Sequence, residues 1–202
     1  MKRGGLIVLV VVALVVILIA SRLFGSYNNL VTSREGVRNG WAEVNNQLQA
    51  RSSKLGNLAE TVKGTALQEQ TVFGDIARAR AALAGARNPQ ESIAADQATT
   101  SALARLLVVV ENYPQLRSNE AFLSLMDEIS GIENRLAVAR MRYNEVVQRF
   151  NVMVKVFPTN LYAGLLGFKE EPYYPVPEEA KATPKLDFGG IRQTPEAPPA
   201  KP

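Results

Sequence analysis

Beyond residue 26, apolar residues return every seven positions through most of the chain. Tyr27, Trp41, Leu48, Leu55, Val62, Ile76 and Leu83 fill seven of nine positions in one frame, interrupted by Arg34 and Glu69. Three residues later, Leu30, Val37, Val44, Leu58, Val72 and Ala79 fill six of eight, interrupted by Arg51 and Thr65. Two such frames form the a/d seam of a coiled coil, which predicts helix over residues 27–86 with one face buried. Arg51 to Lys54 are four consecutive polar residues followed closely by Gly56, so a break is expected there.

Asn88-Pro89-Gln90-Glu91 has the form of a helix start, with Asn88 as cap, Pro89 in the first helical position and Glu91 reaching back as a capping box. The next helix is predicted over 89–111, with Ile93, Ala94, Leu103, Leu107 and Val110 on its apolar face, ending at Asn112-Tyr113-Pro114. After the polar stretch Gln115–Asn119 comes the strongest seam in the chain. Phe122, Ile129, Leu136, Tyr143, Phe150 and Phe157 hold one frame, and Leu125, Ile132, Ala139, Val146 and Met153 the other. A helix over 119–157 follows, stopped by Pro158. Leu161–Phe168 is a short apolar turn or helix closed by Gly167.

Lengths suggest how these pieces stack. As one straight helix, residues 27–86 would extend about 90 Å, against about 35 Å for residues 89–111. A split near 52–56 gives comparable segments that run up, down, up, down over short loops, an all-α antiparallel four-helix bundle. The alternative is a long kinked helix with a three-helix bundle. The stripe also allows packing between copies, so a homo-oligomer is the second use of the same seam.

Gly4–Ser21 is an 18-residue uncharged run flanked by Lys2, Arg3 and Arg22. At 1.5 Å per residue it covers about 27 Å, close to the thickness of a hydrocarbon core. Cleavage as a signal peptide after Ala20 would put bulky Leu18 where a small residue is needed, and without cysteine there is no lipobox. A retained single-pass anchor over residues 1–25 in the cell (inner) membrane is expected. Clustered Lys2 and Arg3 put the N-terminus in the cytoplasm and the bulk domain outside it. Residues 26–174 form the helical domain. Residues 172–202 contain eight prolines and balanced charges and are expected to be disordered, with the tail domain set at 175–202; within it, Lys185-Leu186-Asp187-Phe188 is an isolated apolar pair.

The 202 residues include no cysteine and no histidine. That removes disulfides, thiol nucleophiles, histidine bases and Cys/His zinc sites. The formal charge of +4 is concentrated at the N-terminus, and residues 26–174 carry 16 bases against 15 acids, so there is no footprint for nucleic acid. Phosphate loops, nucleophile elbows and EF-hand loops are absent from the sequence, and the run Ser52-Ser53-Lys54 is more simply a polar turn than a Ser–Lys dyad. No catalytic, cofactor-binding or metal-binding residue is assigned, and the chain is expected not to be an enzyme.

Several motifs occur together in a recognisable order. Tyr27-Asn28-x-Leu30-Val31, Trp41, Val44, Gln47-Leu48 and Asn57-Leu58-x-Glu60-Thr61-Val62-Lys63-Gly64 mark the first half. Glu111-Asn112-Tyr113-Pro114-x-Leu116-x-x-Asn119, Glu133-Asn134-Arg135, Ala139-Arg140, Tyr143-Asn144, Phe150-Asn151, Phe157-Pro158-x-Asn160 and Gly167-Phe168 mark the second. This pattern, over residues 1–174, resembles the LemA family of bacterial membrane proteins. Leu55-Gly56 departs from it, since the family usually has Ile-Pro there. The resemblance implies an all-α up-and-down bundle and no particular activity.

Polar residues on or near the seams are the remaining candidates: Arg34, Arg51, Glu69, Asn134, Arg140 and Asn144, with Glu60, Lys63, Glu111, Asn112 and Glu133 from the motifs. Buried polar residues of this kind pair to fix register between helices; lining a ligand pocket is the alternative. The expected role is a membrane-anchored scaffold or interaction module of the cell envelope whose partners are the membrane and envelope proteins. The alternative is an anchored protein holding a small ligand or cation in its bundle.

Overall fold

The computed structural model describes residues 2–64 and 69–175, and these are all-α. Helix α1 spans Lys2–Lys63, α2 Gln70–Gly85, α3 Pro89–Glu111, the short α4 Pro114–Arg117 and α5 Glu120–Lys155; a 3₁₀ turn follows at Thr159–Leu161. The expected tail and its Lys185–Phe188 segment lie outside the described residues from 176 onward.

The break expected at 51–56 does not exist. Helix α1 passes through it, and the interruption falls between Lys63 and Gln70. Arg51 and Ser52 are buried while Ser53 is exposed, so the polar run straddles the edge of the buried face of a continuous helix rather than forming a solvated turn. Gly56 is buried against α2: a Cβ there would meet the Arg80 Cζ at 2.5 Å. The long-helix alternative had this continuity right, although that helix ends at Lys63 rather than near residue 86.

Helices α1 and α5 form the longest pairing, and their contacts fix an antiparallel register. Lys54 meets Glu128, Arg51 meets Glu133, Glu43 meets Arg142 and Trp41 meets Tyr143, so α5 numbers rise as α1 numbers fall. Two clusters of buried side chains line this pair. Leu55, Leu58, Val62, Val72, Ile76, Leu106, Val109, Phe122 and Ile129 fill the end far from residue 2. Leu30, Val37, Val44, Leu48, Leu83, Ile93, Leu136, Tyr143, Val147, Phe150, Phe168 and Tyr174 fill the near end. Helix α2 therefore descends from the far cluster to the near one, and α3 climbs back.

Helix α3 starts as its sequence predicts. Asn88 Oδ1 accepts from the Glu91 amide at 2.9 Å, and the Glu91 carboxylate reaches back to the Arg87 amide at 2.8 Å, one residue beyond the usual capping-box partner. Its buried face is rotated from the expected one. Ala95, Asp96, Thr99, Ala102, Leu106, Val109 and Val110 point inward, Ala94 is exposed, and Leu103 and Leu107 pack at the margin. Three polar positions, Ser92, Asp96 and Thr99, thus belong to the buried face with the expected Ile93 and Val110, and a search for apolar periodicity passes over them. Asn119 caps α5 by accepting from the Phe122 amide at 3.1 Å, and the helix ends at Lys155, two residues earlier than expected. Phe157 is accordingly exposed rather than a seam residue.

Between α3 and α5, the expected polar spacer contains α4, whose Leu116 is buried in the far cluster. After α5, Gly167 adopts φ +78°, a left-handed conformation natural to glycine, and Phe168 returns its amide to the Ala163 carbonyl at 2.9 Å. That turn drives Phe168 inward against Tyr27, with ring centroids 5.8 Å apart.

Two segments are apolar enough to bear on a membrane. Pro89–Glu111 has the length and hydropathy of a span, but Ala102, Leu106, Val109 and Val110 are core, so burial within the protein accounts for them. Gly4–Leu18 is a shorter apolar helix in the first part of α1, and its large side chains, from Leu6 through Leu18, are exposed on every side.

Candidate functional site: a charged layer and the strap across it

Where the two apolar clusters meet, α1, α3 and α5 place four charged residues around one point. Asp96 of α3 is the centre. Its Oδ1 accepts from Arg51 Nη1 at 2.6 Å, and its Oδ2 accepts from Arg140 Nη2 at 2.5 Å and from the Tyr174 hydroxyl at 2.6 Å. Arg51 also donates to Thr100 Oγ1 at 3.1 Å and ion-pairs through Nε with Glu133. Arg51 and Asp96 side chains are 4% and 6% exposed, so each charge is desolvated and held by the others. Two arginines and two carboxylates balance, and the layer bears no net charge. Arg140 Nε has no hydrogen-bond partner among the described residues, and Arg51 Nε faces Glu133 without hydrogen-bond geometry. A cavity of about 470 Å³ opens beside this layer, bounded by Arg51, Asp96, Thr100, Glu133, Arg140 and Tyr174.

The segment Lys169–Pro175 closes the layer as an extended strap, held by side chains of α5. Asn151 pairs with the backbone of Glu171 in both directions, donating to its carbonyl at 2.9 Å and accepting from its amide at 2.8 Å. Asn144 treats Tyr174 the same way, at 3.0 and 2.8 Å. The spacing explains the fit. Seven residues of helix rise about 10.5 Å, and three residues of extended chain advance about 10 Å, so two asparagines one heptad apart act as the edge of a β-strand. Between them the Tyr143 hydroxyl donates to the Pro172 carbonyl at 2.8 Å.

Tyr174 is the strap's anchor. Its ring stacks on Trp41 at 6.5 Å and lies under the Arg140 guanidinium at 4.6 Å. Burial, and then the Asp96 carboxylate, push its phenol well above the usual tyrosine range. Burial likewise raises Tyr143 to about 12, with Glu171 adding to the shift. Further along, Arg34 approaches Glu171 at 3.9 Å and lies 5.8 Å from the Phe168 ring centre.

The sequence-derived candidates therefore separate. Arg51, Arg140 and Glu133 come together in the layer, while Asn144 and Arg34 hold the strap. Asn134, Glu111 and Asn112 lie on the surface, Glu60 and Lys63 form an exposed pair at 3.9 Å, and Glu69 precedes α2 without a side-chain cap bond. Ser52 is buried and Lys54 pairs with Glu128, which separates the two ends of the formal Ser–Lys dyad. Asp96, Tyr174 and Asn151 escaped sequence reasoning. Asn151 lies within the Phe150-Asn151 motif, Asp96 is recoverable only with the correct α3 face, and Tyr174 sits in the proline-rich stretch from residue 172 that was expected to be disordered. Pro172–Pro175 are instead held by the asparagine pairs. Among the described residues, no group of three or more acidic side chains converges as a metal site would require.

The magnetosome proteins MamQ 2 and MamQ 1 of Paramagnetospirillum magneticum are each 26% identical over 214 residues, covering 91% of this chain and 79% of their own length. Magnetosome protein MamQ of Magnetospirillum gryphiswaldense is 24% identical over 201 residues, covering 86% and 74%. The LemA family profile matches residues 40–188, which takes in the charged layer and the strap, and the chain belongs to the LemA family.

Proposed function

We propose that the chain is a non-enzymatic, single-pass protein of the bacterial inner membrane whose helical bundle serves as a scaffold for other envelope proteins. The observation that carries this reading is the Gly4–Leu18 helix, apolar and exposed on all sides, and continuous through α1 with the folded domain. A surface of that kind is stable in hydrocarbon and costly in water. The four long helices form an up-and-down bundle, and Lys2 and Arg3 hold the N-terminus on the cytoplasmic side. The likeness to relatives named as magnetosome proteins supports a role within an organised cell structure.

The charged layer acts to fix register. Asp96 selects one relative height for α1, α3 and α5, because any slip leaves a buried charge unpaired. A second reading rests on the 470 Å³ cavity and Arg140 Nε: a small anion or polar ligand held beside the layer. One set of preparations tests both. Under the scaffold reading the full chain resists alkaline carbonate extraction, and photocrosslinkers on the exposed faces of α2 and α5 capture discrete envelope proteins or a second copy. A rise in melting temperature with a small metabolite or inorganic anion, without crosslinked partners, supports the ligand reading instead.

A further inference from the structure

The end of the domain next to the apolar N-terminal helix carries large apolar side chains that nothing in the fold covers. Leu165 is 88% exposed, Phe157 78%, Phe24 73% and Leu161 66%. Their height is fixed by α1. The Tyr162 hydroxyl donates to Ser26 Oγ at 2.6 Å, and Phe168 packs on Tyr27. The α1–α5 register, continued past Trp41 and Tyr143, likewise brings the residues after Lys155 level with Tyr27. Ser26 lies five residues beyond Ser21, about 7.5 Å along the helix. The headgroup zone of each leaflet is about 5–8 Å deep. This inference rests on the reading that Gly4–Ser21 spans the bilayer, and given that, Ser26 and the Tyr162 hydroxyl stand at the outer edge of the headgroup zone, with the side chains around them within reach of the lipid interface.

We propose that Phe157, Leu161, Leu165 and Leu166, together with Phe24, insert into the lipid interface as a second membrane contact beside the spanning helix. Lipid is the occupant because the exposed patch stands level with Ser26 and Tyr27, just past the exposed Phe24 of the helix that carries the exposed apolar run Gly4–Leu18, at the edge of the depth where amphipathic segments partition. Of the neighbouring bases, Lys155 is paired with Glu170 at 2.7 Å and Arg34 approaches Glu171, while Arg22 and Lys169 are exposed. Apolar burial supplies the binding, and these two bases add only a minor attraction to anionic lipid. Two attachment points, one on α1 and one in the turns that follow α5, fix the tilt of the domain on the membrane.

The chain has no cysteine, so a single introduced cysteine carries a fluorophore without background. Full-length Leu165→Cys, Phe157→Cys, Val15→Cys and Gly85→Cys, each labelled and reconstituted in phosphatidylcholine nanodiscs, are compared using lipids with a quencher near the headgroup or deep in the acyl chain. Leu165 and Phe157 are expected to be quenched more strongly by the shallow label, at about 5–10 Å insertion, Val15 by the deep label, and Gly85 by neither. Adding phosphatidylglycerol leaves this pattern unchanged. Quenching at Val15 with none at Leu165 and Phe157 overturns the lipid contact while the spanning helix stands. Loss of quenching at Val15 overturns the spanning helix and the contact with it, and quenching at Leu165 only with anionic lipid overturns the apolar mechanism.

Discussion

The two halves of the domain solve the same packing problem with different materials. In the half far from residue 2, α1 and α5 are flanked by α2 and α3, and the core is aliphatic with Phe122. In the near half the same pair has outrun its helical neighbours. Helix α3 covers about 35 Å and α2 about 24 Å of a pairing that extends about 55 Å. The uncovered 20 Å or so is walled by the Thr159–Phe168 turns and the strap, through Phe168, Tyr174 and Trp41. Helices satisfy their own backbone, whereas an extended strap cannot, so Asn144 and Asn151 must supply its partners. The charged layer sits where one construction gives way to the other.

This difference can be broken at graded points. Asp96→Ala leaves two buried guanidiniums without their shared carboxylate, and a loss of about 3–5 kcal/mol in denaturant unfolding is expected. An unchanged midpoint would show that the layer is solvated. Leu136→Ala, fully buried on α5, should cost about 2–5 kcal/mol by the same measurement.

Asn151→Ala removes two hydrogen bonds to the strap, worth about 1–3 kcal/mol together, and acts locally. Proteolysis after Lys169 should accelerate while the circular dichroism of the helices holds. High pH sharpens the same distinction. Tyr143 and Tyr174 have folded-state pKa values above the ordinary 10, so their contribution is fully present below pH 10 and is lost as pH rises through the folded value, about 12 for Tyr143. Alkaline titration should free the strap before the far half unfolds; simultaneous loss would show that the halves are not distinct. The smallest effect is expected at Gly56→Ala. The added methyl meets the end of a flexible Arg80 side chain, which can move, and helix propensity then favours alanine by up to about 1 kcal/mol. A large destabilisation would mean that α1 does bend there.

The aliphatic seams and the Asn88 cap were legible in the sequence, because they report local geometry. The charged layer and the strap were not. A buried Arg51 beside two serines has the composition of a turn, and only the acids of α3 and α5 make it an interior residue. The order in Pro172–Pro175 likewise comes from asparagines some 20 to 30 residues upstream, a tertiary cause with no local signature.

The central claim is that the strap is a wall of the near half and not a loose end, and amide hydrogen exchange in the full-length protein tests it most directly. The Glu171 and Tyr174 amides donate to Asn151 and Asn144, and the account predicts protection at both that is lost in Asn151→Ala and Asn144→Ala respectively. Exchange of both amides in the unaltered chain at the rate of an unstructured peptide would contradict it.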